Sequence, residues 1–452
     1  MFQTLANAWK IPDLRKKILF TAFIIVIFRI GANIPVPFVD IIEGGLLGGT
    51  DGTTFLSYLS MMTGDAFNYG TIFALSITPY INSSIIIQLL TVAIPALERL
   101  SKEGEEGRKK IAAITRYMTL ALGLLQSIAY FIYLNAKDYL LYTGDGFAKV
   151  FEAIVVILVL TSGTTLVMWL GEQINDKGIG NGISIILFAG IISRIPTEAT
   201  MLFGTSEGAE GYFTRGGIYY FLAPFVVVCY LLMIAYIVWM DNAERRIPVQ
   251  YAKRVVGRKM YGGQSTHIPI KVNMSGVMPV IFASSILSLP PTIELFVANK
   301  IKEGGVWDKF FGWFEPTSVV YGVLYFLMII FFAYFYAAIQ YNPTEMANNI
   351  RNNSGTIPGI RPGKPTAHYI EKIISRIILL GALLLSVVAL FPTVFSQITN
   401  LIDSPMNISL GGTSIIIMVG VALDTMSQVE ALLKMHHHEG LTKKGKIRSR
   451  NL

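Results

Sequence analysis

Asn181-Gly182-Ile183-Ser184-Ile185-Ile186-Leu187-Phe188-Ala189-Gly190 returns later in the chain as Gly411-Gly412-Thr413-Ser414-Ile415-Ile416-Ile417-Met418-Val419-Gly420, with Gly, Ser, Ile, Ile and Gly in register. A second pair lies earlier in each half. Thr78-Pro79-Tyr80-Ile81 is echoed by Met278-Pro279-Val280-Ile281, and Ser83-Ser84-Ile85 by Ser284-Ser285-Ile286, the latter one residue out of step. Every copy sits in an apolar stretch interrupted by Pro or Gly. Matched, interrupted apolar segments mark a duplicated membrane protein whose working site lies between its halves.

Composition agrees. Of 452 residues, 53% are hydrophobic and 15% charged, with a mean hydropathy of +0.54; a soluble domain carries roughly 25% charged residues. A span needs about 20 apolar residues, and ten windows qualify: 18–34, 70–94, 111–134, 151–171, 181–196, 216–240, 273–292, 317–340, 373–396 and 411–433. The fifth is the shortest. Ten spans put both termini on one side, and that side then holds 29 of the 37 Lys and Arg, so the positive-inside rule makes the termini cytoplasmic. Lys10, Arg15, Lys16 and Lys17 before the Ile18–Phe28 run mimic a secretory signal. No small-x-small cleavage pattern follows in Arg29–Pro35, so an uncleaved first span is expected. The single cysteine, Cys229, lies mid-span and is expected to be a small core residue.

Three spans carry unusual polarity. The second contains Thr78, Asn82, Ser83, Ser84 and Gln88, the seventh Ser275, Ser284, Ser285, Ser288 and Pro290-Pro291, and the fifth opens Gly178-Ile179-Gly180-Asn181-Gly182. Polar groups and broken backbone at membrane depth must be buried in protein or face water. They therefore either cement helix packing or line a path. Ile77, Ile81 and Ile85 recur every four residues, as do Ile183 and Leu187, with Ile417 opposite Leu187 in the partner motif. Such aliphatics are core, or else a constriction that excludes water and ions. The acids within spans are read as Asp424 and Glu430, and no His lies in a span. A coupled carrier needs a midplane ionisable group. No nucleotide loop, catalytic triad or metal-ligand cluster recurs, so a passive conduit that is not an enzyme, without cofactor or metal, is expected.

Outside the spans, the outer segment 35–69 is either a Gly-rich hairpin or, over its apolar portion Thr53–Met62, a short re-entrant helix. Two inner loops, 241–272 and 341–372, are long, basic and punctuated by Pro, with alternating apolar positions. Attraction to anionic lipid accounts for Lys and Arg beside span ends. A structured basic projection suits a large anionic partner, either RNA or an acidic protein face.

Eight segments, taken in order, carry a family resemblance. They are Phe73-Ala74-Leu75 through Thr78-Pro79-Tyr80-Ile81, Ser84–Leu90 (SIIIQLL), Glu103–Arg108 (EGEEGR), and Trp169–Gln173 (WLGEQ) with Gly178–Ser184. The rest are Arg245-Arg246-Ile247-Pro248, Gln264-Ser265-Thr266-His267, Pro358–Gly363 (PGIRPG) and Gly411-Gly412-Thr413-Ser414. Together they resemble bacterial SecY, the channel subunit of the Sec protein translocon.

The resemblance implies an all-α polytopic membrane protein: ten transmembrane helices in two pseudo-symmetric inverted five-helix halves, a clamshell around a central pore. It divides the chain into halves 1–205 and 206–434 and a cytoplasmic tail 435–452, in which His436-His437-His438 match no motif. The pore ring maps onto Ile77, Ile81, Ile183, Leu187, Met278 and Ile417, with Met278 where relatives commonly have Ile. A plug near 53–68 takes in Phe55, Leu56, Leu59, Met61, Met62 and Gly64, and Gly64-Asp65 stands where relatives often carry Gly-Gly. A lateral gate between spans 2/3 and 7/8 would release signal sequences into lipid. Arg245, Arg246, Lys253, Arg254, Arg258, Lys259 and Arg361 would dock the SecA ATPase or the ribosome. The implied setting is the cytoplasmic membrane of a bacterium, with SecE and SecG subunits, translocating polypeptides and anionic lipids as further partners. Without the resemblance, the residues also allow a secondary carrier with inverted repeats, or a membrane scaffold.

Overall fold

A computed structural model describes residues 8–40, 60, 63–137, 139–141, 146–204, 219–251, 254–256, 259–261, 265–291, 293, 305–315, 318–401 and 411–444. In the N-terminal part, α1 runs Pro12–Gly31, α2 Thr78–Ala93, α3 Pro95–Lys102, α4 Glu105–Ala136, α5 Phe147–Lys177, α6 Gly182–Ile192 and α7 Ile195–Phe203. The C-terminal part holds α8 Tyr219–Asn242, α9 Met278–Leu287, α10 Val306–Gly312, α11 Val319–Gln340, α12 Pro343–Asn352, α13 Lys364–Leu401 and α14 Gly412–Lys444. Helices occupy all ten expected windows. Among the described residues, seven helical stretches are long and apolar enough to cross a bilayer, one of them α6 with α7 and another α11 with α12; α2 and α3 are bent by 101° at their junction, and α9 belongs to a shorter apolar helix.

Several helices outrun their apolar windows, and two fall short. Residues 70–77 and 273–277 are turns rather than helix, so the second and seventh spans become helical only at Thr78 and Met278. Ser76 (φ 48°) and Gly276 (φ 60°) are both left-handed immediately before these starts. Pro79 and Pro279 then take the first helical turn, where a missing N–H costs nothing. α14 continues the tenth span through Lys444, so the expected tail starts as helix.

The two halves repeat one another in backbone contacts. Ile72 N–H donates to Ile34 O just beyond α1 (2.9 Å), and Val272 N–H donates to Ala243 O just beyond α8 (2.8 Å). A Cβ on Gly163 of α5 would fall 2.1 Å from Ile72 O, and one on Gly381 of α13 would fall 2.5 Å from Val272 O. Likewise Gly182 lies against the backbone of Gly171 and Gly412 against that of Val388, their Cβ atoms meeting carbonyl oxygens at 1.9 and 2.1 Å. Glycine is required here because backbone meets backbone.

The basic loops add a small sheet to the helical frame. β1 (Glu244–Tyr251) pairs antiparallel with β4 (Ser265–Lys271), Ile247 opposite Ile268, and β5 (Gly355–Thr356) from the other loop pairs with β1. β2 (Arg254–Val256) and β3 (Lys259–Tyr261) form a second hairpin. Ile247, Val249 and Ile270 bury one face against Ala347, Ile350 and Ile374, so both loops share a core. Asn342 caps α12 by accepting from Thr344 and Glu345 N–H.

Candidate functional site

The matched breaks converge on the main apolar core. Ile77 caps α2 and Ile81 lies one turn in; Ile183 and Leu187 are a turn apart on α6; Met278 opens α9; Ile417 lies in the second turn of α14. Ile77, Ile81, Leu187 and Ile417 are buried in one apolar cluster, and Ile183 and Met278 are half-buried against it. All six expected ring residues thus belong to, or pack against, the main apolar core, which draws on helices of both halves. The tip of Ile77 also packs toward α5, since a Cβ on Gly171 would sit 3.6 Å from its Cδ1. Asn181 aims α6 by accepting from Ile183 N–H (3.1 Å), while Asn175 Oδ1 holds Gly182 N–H at 2.8 Å.

The polar residues of spans 2 and 7 divide by role. Ser83 donates to Pro79 O (2.8 Å), Ser284 to Ile281 O (3.0 Å) and Ser288 to Ser285 O (2.6 Å). These hydroxyls are satisfied within their own helices, as apolar surroundings demand. Thr78 and Asn82 of α2 instead face a cavity, with Gln126 and Tyr130 of α4, Phe67, and Ser288 at the end of α9. That cavity is lined by spans 2 and 3 and by residues between 63 and 75, with Ser288 its lining residue from span 7.

Of the expected plug residues, Phe55, Leu56, Leu59, Met61 and Met62 lie outside the described residues. Gly64 is described and buried, with φ +65°. Its segment is tied down by Tyr130 Oη donating to Phe67 O (2.7 Å) and by Phe67 N–H donating to Thr63 Oγ1 (3.1 Å). The Phe67 and Tyr130 rings meet at 4.7 Å. Charges that the sequence reading passed over surround it. Asp65 pairs with Arg194 (3.3 Å), and Arg194 with Glu198 (3.8 Å). The reading of span acids as Asp424 and Glu430 alone also needs correction, because Glu152, within α5, is buried with both carboxylate oxygens unpartnered. The Gly64-Asp65 departure and an Arg inside the fifth window were the available signals.

At the basic end, Arg245 and Arg246 project exposed from β1, Arg246 pairing with Glu244 at 2.7 Å. Arg361 is exposed just before α13, and its carbonyl accepts from Thr366 (2.8 Å). Backbone pairing places Arg254 opposite Tyr261 and Lys259 opposite Val256 in the second hairpin. Lys253 and Arg258 lie outside the described residues.

The SecY family model matches residues 71–426. The protein translocase subunit SecY of Corynebacterium glutamicum is 42% identical over 453 residues, covering 97% of this chain and 99% of its own length. That of Mycobacterium bovis is 41% identical over 457 residues, covering 98% and 100%. Among solved structures, one described as a protein conducting channel aligns with a TM-score of 0.59 at 18% identity, covering 94% of this chain and 96% of its own. Sec61 from a canine ribosome–channel complex aligns with the same score at 16% identity and the same coverage. Matched along nearly its whole length and folded around duplicated helix breaks, the chain belongs to the SecY family.

Proposed function

We propose that this protein is the protein-conducting channel of a bacterial cytoplasmic membrane, with both termini cytoplasmic. It moves secretory polypeptides across the membrane and releases membrane segments sideways into lipid. The observation that supports the reading is that Ile77, Ile81, Ile183, Leu187, Met278 and Ile417, from broken helices of both halves, all belong to or pack against one apolar core. A ring of branched and flexible aliphatics yields to a passing chain yet keeps water and ions out at rest. Halves 1–205 and 206–434 move apart as a clamshell, with the cavity between α2, α4 and α9 marking the lateral exit. The segment near 53–68 plugs the outer side. The pore is passive. SecA or a translating ribosome docks on Arg245, Arg246, Lys253, Arg254, Arg258, Lys259 and Arg361 and supplies the energy, while SecE and SecG complete the complex and anionic lipids neutralise the remaining basic surface.

The test is site-specific crosslinking of an arrested secretory chain to Ile81→Cys in a Cys229→Ala background. A crosslink that requires both an intact signal sequence and the docked motor or ribosome supports a polypeptide path at this level. Its absence, beside an efficient control at the cytoplasmic mouth, removes the pore reading.

A further inference from the structure

Asp65 adopts φ +68°, a left-handed conformation that residues with a Cβ rarely hold without outside support. Its support comes from three directions. Ser60 Oγ donates to Asp65 Oδ1 (2.8 Å), and Asp65 N–H donates to Ser60 O (2.9 Å). Arg194 Nη1 lies 3.3 Å from the same carboxylate, with side-chain exposures of only 10% for Arg194 and 19% for Asp65. Arg29 of α1 has Asp65 as its countercharge, and its Nη1 sits beside Gly64, where an added Cβ would approach it to 2.9 Å. That same Cβ would meet Ser193 Oγ at 2.7 Å and Gly190 O at 2.8 Å, so the turn is slotted between α1 and the end of α6. Glu198, buried in the first turn of α7, completes a set of two cations and two anions.

We propose that Arg194 is a positioning residue of a charge latch, closing on Asp65, that holds the inner end of the plug segment in its resting seat. The inference rests on reading that segment as a plug. Arg194 occupies the break between α6 and α7, and α6 carries Ile183 and Leu187. The latch therefore ties the segment to the helix that supplies two ring residues. Its energy is one-sided. Withdrawing the segment removes Asp65 and leaves Arg194 with Glu198 at 3.8 Å and Arg29 without the Asp65 charge, in a poorly solvated site where uncompensated charge is costly. The balanced set thus exists only in the seated state.

The test uses the full chain with its partner subunits in spheroplasts, carrying Cys229→Ala and a reporter, Ala66→Cys. Ala66 is 1% exposed, so the reporter is shielded while the segment is seated. Its labelling rate by a membrane-impermeant maleimide is read alongside resting ion flux. Asp65→Asn, which is isosteric and tolerates the left-handed region, and Arg194→Gln should each raise labelling about tenfold, a discounted value for a mostly buried pair. Arg194→Lys, which keeps the charge, should stay within about twofold to threefold of the parent. The double variant should label no faster than Asp65→Asn alone, because both changes break one contact. Unchanged labelling in Asp65→Asn overturns the latch whatever the flux does, and this arm stands even if Arg194→Gln fails to accumulate. Multiplicative rates in the double variant, or Arg194→Lys as fast as Arg194→Gln, also overturn it. Raised labelling without raised flux keeps the latch and removes the plug reading.

Discussion

Gly182→Ala is the sharpest test of how the duplicated motif works. The added Cβ would stand 1.9 Å from Gly171 O, 2.7 Å from its carbonyl carbon and 3.0 Å from its Cα. None of these atoms is the end of a flexible side chain, so a helix must move. Restoring contact at 3.4 Å requires the start of α6 to retreat by about 1.5 Å from α5. That retreat stretches the Asn175–Gly182 bond, now 2.8 Å and the one that crosses from α5 to α6, past useful length. Overpacking costs roughly 1–3 kcal/mol and the lost hydrogen bond about 1 kcal/mol, giving about 2–4 kcal/mol in all. The displaced helix carries Ile183 and Leu187 with it, so resting ion flux should rise together with the loss of stability.

The assay is thermal unfolding of the purified complex in detergent, paired with ion flux in vesicles. Gly412→Ala, facing Val388 O at 2.1 Å, should behave like Gly182→Ala if the motif does the same work in both halves. Gly322→Ala is the control: its nearest neighbour is Leu390 Cδ2 at 3.8 Å, and helix propensity favours Ala there by about 0.5–1 kcal/mol. Should Gly182→Ala melt and conduct like Gly322→Ala, the argument from backbone contact is refuted.

Three further outcomes are expected. Ile81→Gly combined with Ile183→Gly removes two branched side chains from the shared cluster; small ions should then cross the resting pore, and vesicles that stay tight would exclude these positions as the seal. Ser76→Gly relieves a left-handed residue at φ 48° and should stabilise by about 1 kcal/mol. The reverse change at the equivalent position, Gly276→Ser at φ 60°, should destabilise by a similar amount, both read as shifts in melting temperature. Finally, Arg245→Glu with Arg361→Glu alters exposed residues away from the core. Secretion should fail while the melting temperature is unchanged, and secretion that survives both reversals removes the docking assignment.

The sequence made the repeat legible because packing two backbones together leaves glycine at fixed places. Gly182 and Gly412 are such places, and with the paired prolines they located both breaks. It placed the second and seventh spans too early, because residues 70–77 and 273–277 adjoin apolar helix but are held in turns that include left-handed Ser76 and Gly276. Periodicity cannot see a left-handed residue. The helical extensions past the bilayer, as in Glu105–Ala136 and Lys364–Leu401, were missed for the opposite reason, since their end turns are polar. Alternating apolar positions in the first basic loop pointed to a structured projection but not to its strands, which Ile247 and Val249 of β1 reveal. The charge cluster at Asp65 joins residues far apart in sequence, where only two local oddities hinted at it.

The inverted duplication also explains why an excursion between spans 1 and 2 and a basic hairpin between spans 6 and 7 occur in one molecule. Between spans 1 and 2, Ile34 O binds Ile72 N–H and Pro35 bridges Thr71; between spans 6 and 7, Ala243 O binds Val272 N–H and Glu244 pairs with Lys271. In each half a short antiparallel contact is thus clamped by a carbonyl, Ile72 or Val272, lodged against a glycine of the fourth span of that half, Gly163 or Gly381. Inversion sends the chain beyond the first clamp to one face and the chain beyond the second clamp to the other. One excursion returns through Gly64 and Phe67 against α4; the other grows into the β1–β4 hairpin that presents Arg245 and Arg246. Each feeds through its clamp into the broken start of a helix that bears proposed ring residues, Ile77 and Ile81 on one side and Met278 on the other. A load on the hairpin therefore reaches α9 by the same route that a displaced plug segment reaches α2. On the proposed function, a docked partner and a moving plug act on the ring through equivalent levers.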